Sequence, residues 1–510
     1  MPKDPATELA SPAAAGSRVP GPPHERGFFG HPRGLATLFF TEMWERFSYY
    51  GMRAILILYL TAAVAEGGLG MDVGRAGAIY GLYTAFVYLT ALPGGWIADR
   101  LIGQRRAVLV GGIVIALGHF SLAVENMACF YLGLVLIVVG TGLLKPNVST
   151  MVGELYPEGG ARRDAGFSIF YMGINTGAFV GPLVVGLLGE RFDWHLGFAA
   201  AGIGMVLGLV QYVLGGRLLG QAGLQPDRSK GGAAAGRGLA LGVAGAVLAV
   251  VIAGALHHGG FFRITAEGLA NATGILIAAI AVLYFLVLFL SRDLDRGEKG
   301  RVAVIGILFL AAAAFWAGFE QAGSSFNLFA ERFTDLDVFG WEMPASWFQS
   351  VNSLFIIFGT AAFFAWLWVA LAARRREPST PMKFAWGLVF LGLGFLVMVA
   401  AAGVAATGVK VSPWWLVLTY FLHTVGELAL SPVGLSTVTK LAPHRKVGQM
   451  MGVWFMGSAL GNLIAGQVAG LFEAMPLPRL FGIMTAVSIG LGLLLAALSR
   501  PIRRLMGGVQ

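Results

Sequence analysis

The sequence predicts an all-α polytopic membrane protein, and two observations lead to this fold class. Of the 510 residues, 56% are hydrophobic and only 12% are charged, whereas soluble proteins carry roughly 25% charged residues. The chain also contains fourteen apolar stretches, each long enough to cross the roughly 30 Å hydrocarbon core of a bilayer as a helix. So few charges cannot cover the surface of a soluble protein of this length, and most of the surface is therefore expected to face lipid.

The predicted spans follow one another with short connections. In chain order they are 35–65, 78–98, 105–124, 128–152, 165–189, 196–216, 238–257, 268–291, 302–330, 345–373, 384–406, 413–438, 447–472 and 479–499. Several exceed 25 residues, which indicates tilted helices or helices that extend beyond the bilayer. The first 33 residues lack the apolar segment of a signal peptide and are predicted to be disordered.

The distribution of basic residues predicts the orientation. With the N-terminus in the cytoplasm, 27 of the 36 Lys and Arg residues fall on the cytoplasmic side, six fall outside and three lie within spans. Retained basic residues mark the cytoplasmic side, so both termini are predicted to lie there. This asymmetry also accounts for the net charge of +9, and nucleic-acid binding is not expected.

The linkers divide the chain into six spans, an inserted pair and six further spans. The segment 217–237 is rich in Gly, Ala and charge and forms the best internal boundary. The predicted domains are a cytoplasmic tail 1–33, an N-terminal six-helix bundle 34–217, a linker 218–237, an inserted helix pair with its linker 238–300, a C-terminal six-helix bundle 301–500 and a tail 501–510.

Seven ionisable residues lie inside predicted spans, where each costs roughly 2.5–3.5 kcal/mol at mid-bilayer on insertion scales. They are Glu42, Glu45, Arg46, Arg53, Lys145, Glu320 and Glu427. Any single one can be a structural ion pair or lie near an interface. Four acids and three bases on four helices favour a polar pathway that carries function.

On the first span the polar residues share one helical face, because their spacing is i, i+3, i+4, i+7, i+8 and i+11. These residues are Glu42, Glu45, Arg46, Tyr49, Tyr50 and Arg53. Arg46 is within one turn of both carboxylates, so proton uptake by a glutamate would compete with its ion pair. The face is predicted to line a cavity, although a static contact with other helices is the alternative.

Further candidates lie on later spans. Lys145 precedes Pro146, and Glu427 is followed by Pro432; proline can bend a helix beside the charge. Trp316 lies four residues before Glu320, and the thirteenth span carries Trp454, Ser458 and Asn462 at four-residue steps. These aromatic residues can also be packing.

The loop after the second span reads GGWIADRLIGQRR. Asp99 and Arg100, with Arg105 and Arg106, can latch neighbouring helices, although a solvated basic loop is the simpler alternative.

Four motifs resemble one known family, the proton-coupled oligopeptide transporters of the major facilitator superfamily. EMWERFSYYG at 42–51 resembles ExxERFxYYG, FYMGINTG at 170–177 resembles FYxxINxG, and GELALSPVG at 426–434 resembles GExxLSPxG. GGWIADRLIG at 94–103 is similar to the first-loop motif of the superfamily. The motifs occur in the family's order, and the resemblance covers roughly residues 30–500.

The resemblance implies two six-helix bundles around a central site, two extra helices between them, and 14 transmembrane helices. It implies a symporter that imports di- and tripeptides with protons across the bacterial inner membrane. The residues that it places in proton coupling are Glu42, Glu45, Arg46, Glu320 and Lys145. Those that it places in peptide binding are Arg46, Arg53, Tyr49, Tyr50, Tyr88, Lys145, Asn175, Trp316, Glu320, Asn352, Glu427, Trp454 and Ser458. The predicted gating residues are the pairs Arg53 with Glu320, Lys145 with Glu427 and Arg75 with Glu331, together with Asp99 and Arg100 of the charge cluster in the first loop.

Two other function classes compete with this interpretation. The first is a carrier of the same fold for nitrate or an amino-acid conjugate, and an anion carrier would not need the acids Glu320 and Glu427 opposite the cations. The second is a non-transporting sensor, which a long folded domain appended to the spans would indicate. An enzyme is not expected, and the eight His residues are scattered, so neither a metal nor another cofactor is predicted.

Overall fold

The computed structural model describes residues 27–224, 232–261, 263–374 and 376–508, and these segments are almost entirely helical. Most of the predicted tail 1–33, the centre of the linker 218–237 and residues 509–510 lie outside the described residues. The all-α fold class predicted from the sequence is confirmed.

The first half of the chain contains seven helices, and several begin at a capping side chain. The carboxylate of Asp193, for example, accepts hydrogen bonds from the backbone N–H groups of His195 and Leu196 at the start of the seventh helix. The helices are α1 Arg33–Thr61, α2 Val73–Leu89, α3 Ala91–Ile97, α4 Gln104–Leu122, α5 Met127–Glu154, α6 Gly160–Arg191 and α7 Trp194–Gly215. α3 continues the direction of α2 and ends in a wider turn at Ala98–Ile102.

The remaining helices form the inserted pair and the second half. They are α8 Gly232–His258, α9 Ala266–Leu290, α10 Arg296–Phe319, α11 Ser325–Phe333, α12 Ser350–Phe355, α13 Ala361–Ala373, α14 Thr380–Ala405, α15 Trp414–Leu441, α16 Val447–Ala469, α17 Leu477–Ala497 and α18 Ser499–Leu505. The strands β1 Asp337–Val338 and β2 Trp341–Glu342 form an antiparallel hairpin.

The helix bounds agree closely with most predicted spans, but three spans are interrupted: 78–98 between α2 and α3, 302–330 between α10 and α11, and 345–373. The span predicted at 345–373 consists of a 3₁₀ helix at Ala345–Gln349, α12, an irregular turn at Ile356–Thr360, and α13. Gly359 has a φ of 125°, which a helix cannot accommodate and glycine tolerates. This span therefore bends in the middle.

Twelve described helical segments are long and apolar enough to cross a membrane, fewer than the fourteen predicted spans. α1 and α16 are not among the twelve, although they have 29 and 23 residues. α1 carries the predicted charges, and α16 contains Gln449, Asn462 and Gln467 among many glycines.

Hydrogen bonds between the two halves lie near one end of the bundle. We call this end the outer side, and the end that carries Arg33 and Arg500 the inner side. Asn327 donates to the carbonyl oxygen of Ala54 at 2.6 Å, and Ser350 donates to that of Phe179 at 2.7 Å. The outer side is closed by these contacts.

α2 and α16 also join the halves, and their backbones touch at glycines. A Cβ atom at Gly77 would lie 2.5 Å from the carbonyl oxygen of Gly466, and one at Gly466 would lie 2.3 Å from that of Gly77. No larger residue fits without moving a backbone. We call this contact the glycine seam.

The inserted pair is attached through α9, which packs against both α2 and α16. Ala270 and Ile277 of α9 are buried against Ala78 of α2 and Leu463 of α16, and Gln467 donates to Asn271 at 2.7 Å. α8, in contrast, is largely exposed. α9 therefore lies over the glycine seam between the halves. Of the inserted pair, only α8 has the exposed surface expected of a helix that faces lipid on most sides.

Candidate functional site

The polar face of α1 is buried and internally paired. The Nε atom of Arg46 lies 3.2 Å from Glu42 Oε1 and also contacts Glu45 Oε2. All three residues are at most 2% exposed. The guanidinium carbon of Arg46 lies 5.2 Å from the centre of the Tyr49 ring and 5.9 Å from that of Tyr50. The helical spacing in the sequence therefore does bring the acids and the base together.

This cluster keeps unused hydrogen-bonding capacity. Within the part of the chain that the structure describes, Glu42 Oε2, Glu45 Oε1 and Arg46 Nη2 are buried and have no hydrogen-bond partner. Unpaired buried polar atoms are costly, roughly 1–3 kcal/mol each and more for charged groups. They are chemically suited to receive a proton or a charged ligand.

Arg53 and Glu320 form an ion pair between the halves. Arg53 Nη1 lies 2.7 Å from Glu320 Oε2, and both residues are buried. Arg53 also donates to Gln349 Oε1 at 3.5 Å. Gln349 was not singled out in the sequence, although it lies three residues before Asn352 and can share its helical face.

Lys145 and Glu427 do not form their predicted pair in this structure. The Lys145 ammonium lies 4.4 Å from the centre of the Tyr88 ring and makes no ion pair with a described carboxylate. At longer range Arg46 repels it, and Glu45, Glu42 and Glu320 attract it. Glu427 instead accepts a hydrogen bond from Asn352 at 3.0 Å.

Asn352 therefore links two residues of the C-terminal half, since it also donates to Thr424 Oγ1 at 2.9 Å. Thr424 was not singled out in the sequence. The pairing of Lys145 with Glu427 stays a prediction for another conformation.

The other predicted binding residues lie on helices that contribute to this region. Asn175 is buried and donates to the Tyr171 carbonyl oxygen of its own helix at 2.9 Å. Trp454 and Ser458 are buried on α16, whereas Trp316 on α10 is half-buried and packs against Phe315 and Phe319. Their contacts with a ligand stay predictions.

Among the described residues, neither an ion pair of Asp99 in the first-loop cluster nor the pair of Arg75 with Glu331 is formed. Arg100 lies over the Trp96 ring at 5.3 Å, and Asp99 is exposed without an ion pair. Arg75 donates to Tyr131 at 3.5 Å, while Glu331 lies 3.7 Å from Arg332. Their roles in gating also stay predictions.

A carboxylate that the sequence analysis missed joins the halves at the outer side. Glu190, at the end of α6, accepts hydrogen bonds from the backbone N–H groups of Ala345 at 2.8 Å and Ser346 at 3.0 Å. These groups open the 3₁₀ helix of the C-terminal half. In the sequence, Glu190 reads as an ordinary residue at the end of a span, and only the fold shows its partners.

One group of potential metal ligands also forms at the outer side. Donor atoms of Glu125, Asp193 and His195 lie within 4.8 Å of one another. The scattered His residues of the sequence did not reveal this group. The capping of α7 accounts for the position of Asp193, and Glu125 is 82% exposed, so we assign no metal to this group.

A family model described as PTR2, POT family, matches residues 105–484. The chain belongs to the POT family. The family consists of transporters, so this POT family member is a transporter rather than an enzyme, and its fold is that of the major facilitator superfamily.

Relatives of this POT family member carry functional names. The peptide transporter YePEPT of Yersinia enterocolitica is 45% identical, and the match covers 96% of this chain and 98% of that protein. A di-/tripeptide transporter of Lactococcus lactis is 38% identical over 95% of this chain and 99% of its own length. A crystal structure of a POT peptide transporter in complex with sulfate superposes with a TM-score of 0.87 at 46% identity, covering 94% of this chain and 97% of that one.

We expect Glu190→Ala to open the outer side of this POT family member. The change removes two charge-assisted hydrogen bonds between the halves, worth roughly 1.5–3 kcal/mol each. Spin labels at Val64→Cys and Val409→Cys, in a Cys129→Ser background, should report longer distances. Glu342→Ala, which breaks the exposed pair with Arg191, is the matched control and should shift distances little. Equal distance distributions for Glu190→Ala and the parent would contradict the assignment.

Proposed function

We propose that this protein imports di- and tripeptides together with protons by alternating access around a central site. One observation carries the proposal. Buried or half-buried cations lie on the N-terminal half, where Arg46 also contacts Glu42 and Glu45, and two acids, one buried and one half-buried, lie on the C-terminal half. The cations are Arg46, Arg53 and Lys145, and the anions are Glu320 and Glu427.

A short peptide has charges of both signs at its two ends, so a site with both signs on opposite walls suits it. In this proposal the peptide carboxylate binds near Arg46, Arg53 and Lys145. The amino group binds near Glu427, with Asn352 and Asn175 contributing amide groups. The unpartnered Arg46 Nη2 donor on α1 and the hydrogen bond from Asn352 to Glu427 support this orientation.

Variable side chains would be received by aromatic surfaces, which provide large contact areas without strict directionality. Tyr49, Tyr50 and Tyr88 lie beside the cations of the N-terminal half. Trp316, Trp454 and Ser458 would form the opposite side of the pockets. This division explains why a transporter of this type can accept many peptides.

Proton coupling is proposed to act through the ion pairs. A proton on Glu42 or Glu45 would weaken the contact with Arg46 and release its guanidinium for the peptide carboxylate. Glu320 would act on Arg53 in the same way, with Gln349 as the remaining partner. Lys145 lies in the electrostatic field of these acids, so a proton on any of them changes its surroundings.

Alternating access would combine two gates. The outer contacts are formed in this structure, and they include Arg53 with Glu320 and Glu190 with the 3₁₀ helix. Lys145 and Glu427, in contrast, do not form an ion pair. This combination supports an inward-facing state. Pairing of Lys145 with Glu427 would close the inner side. The first-loop cluster with Asp99 and Arg100 would contribute to the inner gate, and Arg75 with Glu331 to the outer gate.

We further propose the bacterial inner membrane as the location, with both termini in the cytoplasm. The excess of basic residues on one side of the predicted spans supports this orientation. In this proposal, the two bundles that move against each other are residues 34–217 and 301–500. The inserted pair 238–300 lies between them in the sequence.

Uptake of labelled dialanine by liposomes that contain the purified protein tests the proposal. We expect accumulation above the external concentration only with an inward proton gradient, because the coupled proton supplies the driving force. Equal uptake with and without the gradient would exclude proton coupling. If no di- or tripeptide competes with dialanine, the substrate class is wrong, and nitrate in the same assay tests the alternative carrier.

A further inference from the structure

A cavity lies at the inner side of the C-terminal half, and none of the charged residues of the central site lines it. Its volume is about 1020 Å³, the size at which protein cavities bind small molecules. The inner ends of α14 and α15 and the C-terminal helix α18 form its walls.

The walls of this cavity carry mostly positive charge. Five basic side chains line it, against one acidic side chain, Glu377, which pairs with Lys383 at 2.5 Å. The basic residues are Lys383, Lys440, Arg500, Arg503 and Arg504. The described lining residues therefore carry a formal charge of +4.

The remaining polar groups of the cavity are suited to an anion with several oxygen atoms. Four hydroxyl side chains line it, and they are Ser379, Thr380, Ser436 and Thr437. The cavity also lies at the N-terminus of the 26-residue helix α14, whose capping residue Ser379 makes no side-chain cap hydrogen bond. Helix N-termini and clustered arginines both favour phosphate oxygens.

The positive-inside rule explains basic residues at inner helix ends, but it does not require them to surround a cavity. Arg106 and Arg292, for example, are exposed at other inner helix ends and do not line it. From the cavity, its charge and its hydroxyl groups, we infer that it is a binding site for a phosphate-bearing anion. The headgroup of an anionic phospholipid is the source that its position at the membrane surface favours, and a free phosphate ester is the other.

Such a ligand would act on the inner half of α15. Pro432 and Lys440 of this helix line the cavity, and Glu427 of the central site lies just over one turn before Pro432. A phosphate bound between Lys440 and the arginines of α18 would hold the inner end of α15 against the rest of its half. The anion would thereby restrain a helix that carries a residue of the central site.

Binding can be measured on the full-length protein in neutral detergent by native mass spectrometry. The probes are short-chain phosphatidylglycerol, short-chain phosphatidylcholine, glycerol 1-phosphate and inorganic phosphate. We expect phosphatidylglycerol to bind more tightly than phosphatidylcholine. In Arg503→Gln/Arg504→Gln this affinity should fall roughly 10- to 30-fold, as the contribution of two arginines near a charged surface implies.

Arg106→Gln/Arg292→Gln is the matched control, because it removes the same charge from exposed positions at the inner side. It should bind phosphatidylglycerol like the parent. If glycerol 1-phosphate displaces the lipid at similar concentrations, the site is one for free phosphate esters; if it does not, the site is one for a lipid headgroup. The inference would be overturned if both double variants lost affinity equally. It would also be overturned if every phosphate probe bound Arg503→Gln/Arg504→Gln as tightly as the parent.

Discussion

Glu45→Gln is expected to abolish accumulation of dialanine driven by a proton gradient while peptide exchange across the membrane continues. Glutamine keeps the size and one hydrogen-bond acceptor of the side chain but cannot take up and release a proton. Arg46 loses one of its two buried carboxylate partners, and Glu42 at 3.2 Å remains. We expect gradient-driven uptake to fall at least about tenfold, which corresponds to a free-energy difference of roughly 1.4 kcal/mol. Counterflow of labelled dialanine should change by much less.

Two variants make this experiment specific. Glu42→Gln should behave like Glu45→Gln, because both carboxylates contact the same guanidinium. Glu125→Gln is the control, because its side chain is 82% exposed and lies outside the cluster; it should accumulate dialanine like the parent. If both α1 variants still accumulate dialanine against a gradient, Glu42 and Glu45 do not couple protons to transport.

Lys145→Ala is expected to lose dialanine uptake in both the gradient and the counterflow assay. The ammonium faces the Tyr88 ring and makes no ion pair with a described carboxylate, so it is available for a peptide carboxylate. A charge-assisted contact of this kind contributes roughly 1.5–3 kcal/mol, so binding should weaken roughly 10- to 150-fold. Dialanine affinity, measured by competition in detergent, reports the binding step alone.

Stability separates this effect from misfolding. A lysine inside a span costs roughly 2.5–3.5 kcal/mol on insertion scales, so its replacement by alanine should leave the thermal unfolding temperature unchanged or raise it. Lys410→Ala, at an exposed position of the outer side, should leave both transport and stability unchanged. Normal dialanine affinity in Lys145→Ala would show that Lys145 does not bind the peptide.

The sequence alone predicted most of the helix bounds and the local part of the site. The 3.6-residue period places Glu42, Glu45 and Arg46 on one face of α1, and their contacts in the structure follow from that spacing. The length of the apolar stretches sets the helix bounds to within a few residues, because a helix that crosses a bilayer needs a fixed number of apolar residues.

Contacts between distant segments were harder to predict. Ala345 follows Glu190 by 155 residues, and no local pattern reveals that its N–H group binds this carboxylate. The bend at Gly359 and the placement of α9 over the seam likewise depend on packing between helices. The sequence also does not determine which conformation is adopted. Lys145 and Glu427 can pair in one conformation and separate in another.

The glycine seam between α2 and α16 restricts how this protein can change during evolution. When two side chains meet in a core, enlargement of one can be compensated by reduction of the other. Gly77 and Gly466 offer no such exchange, because each is already the smallest residue and meets a backbone oxygen of its partner. A mutation at either position therefore has no compensating mutation at the other, and it would have to be tolerated through movement of a whole helix.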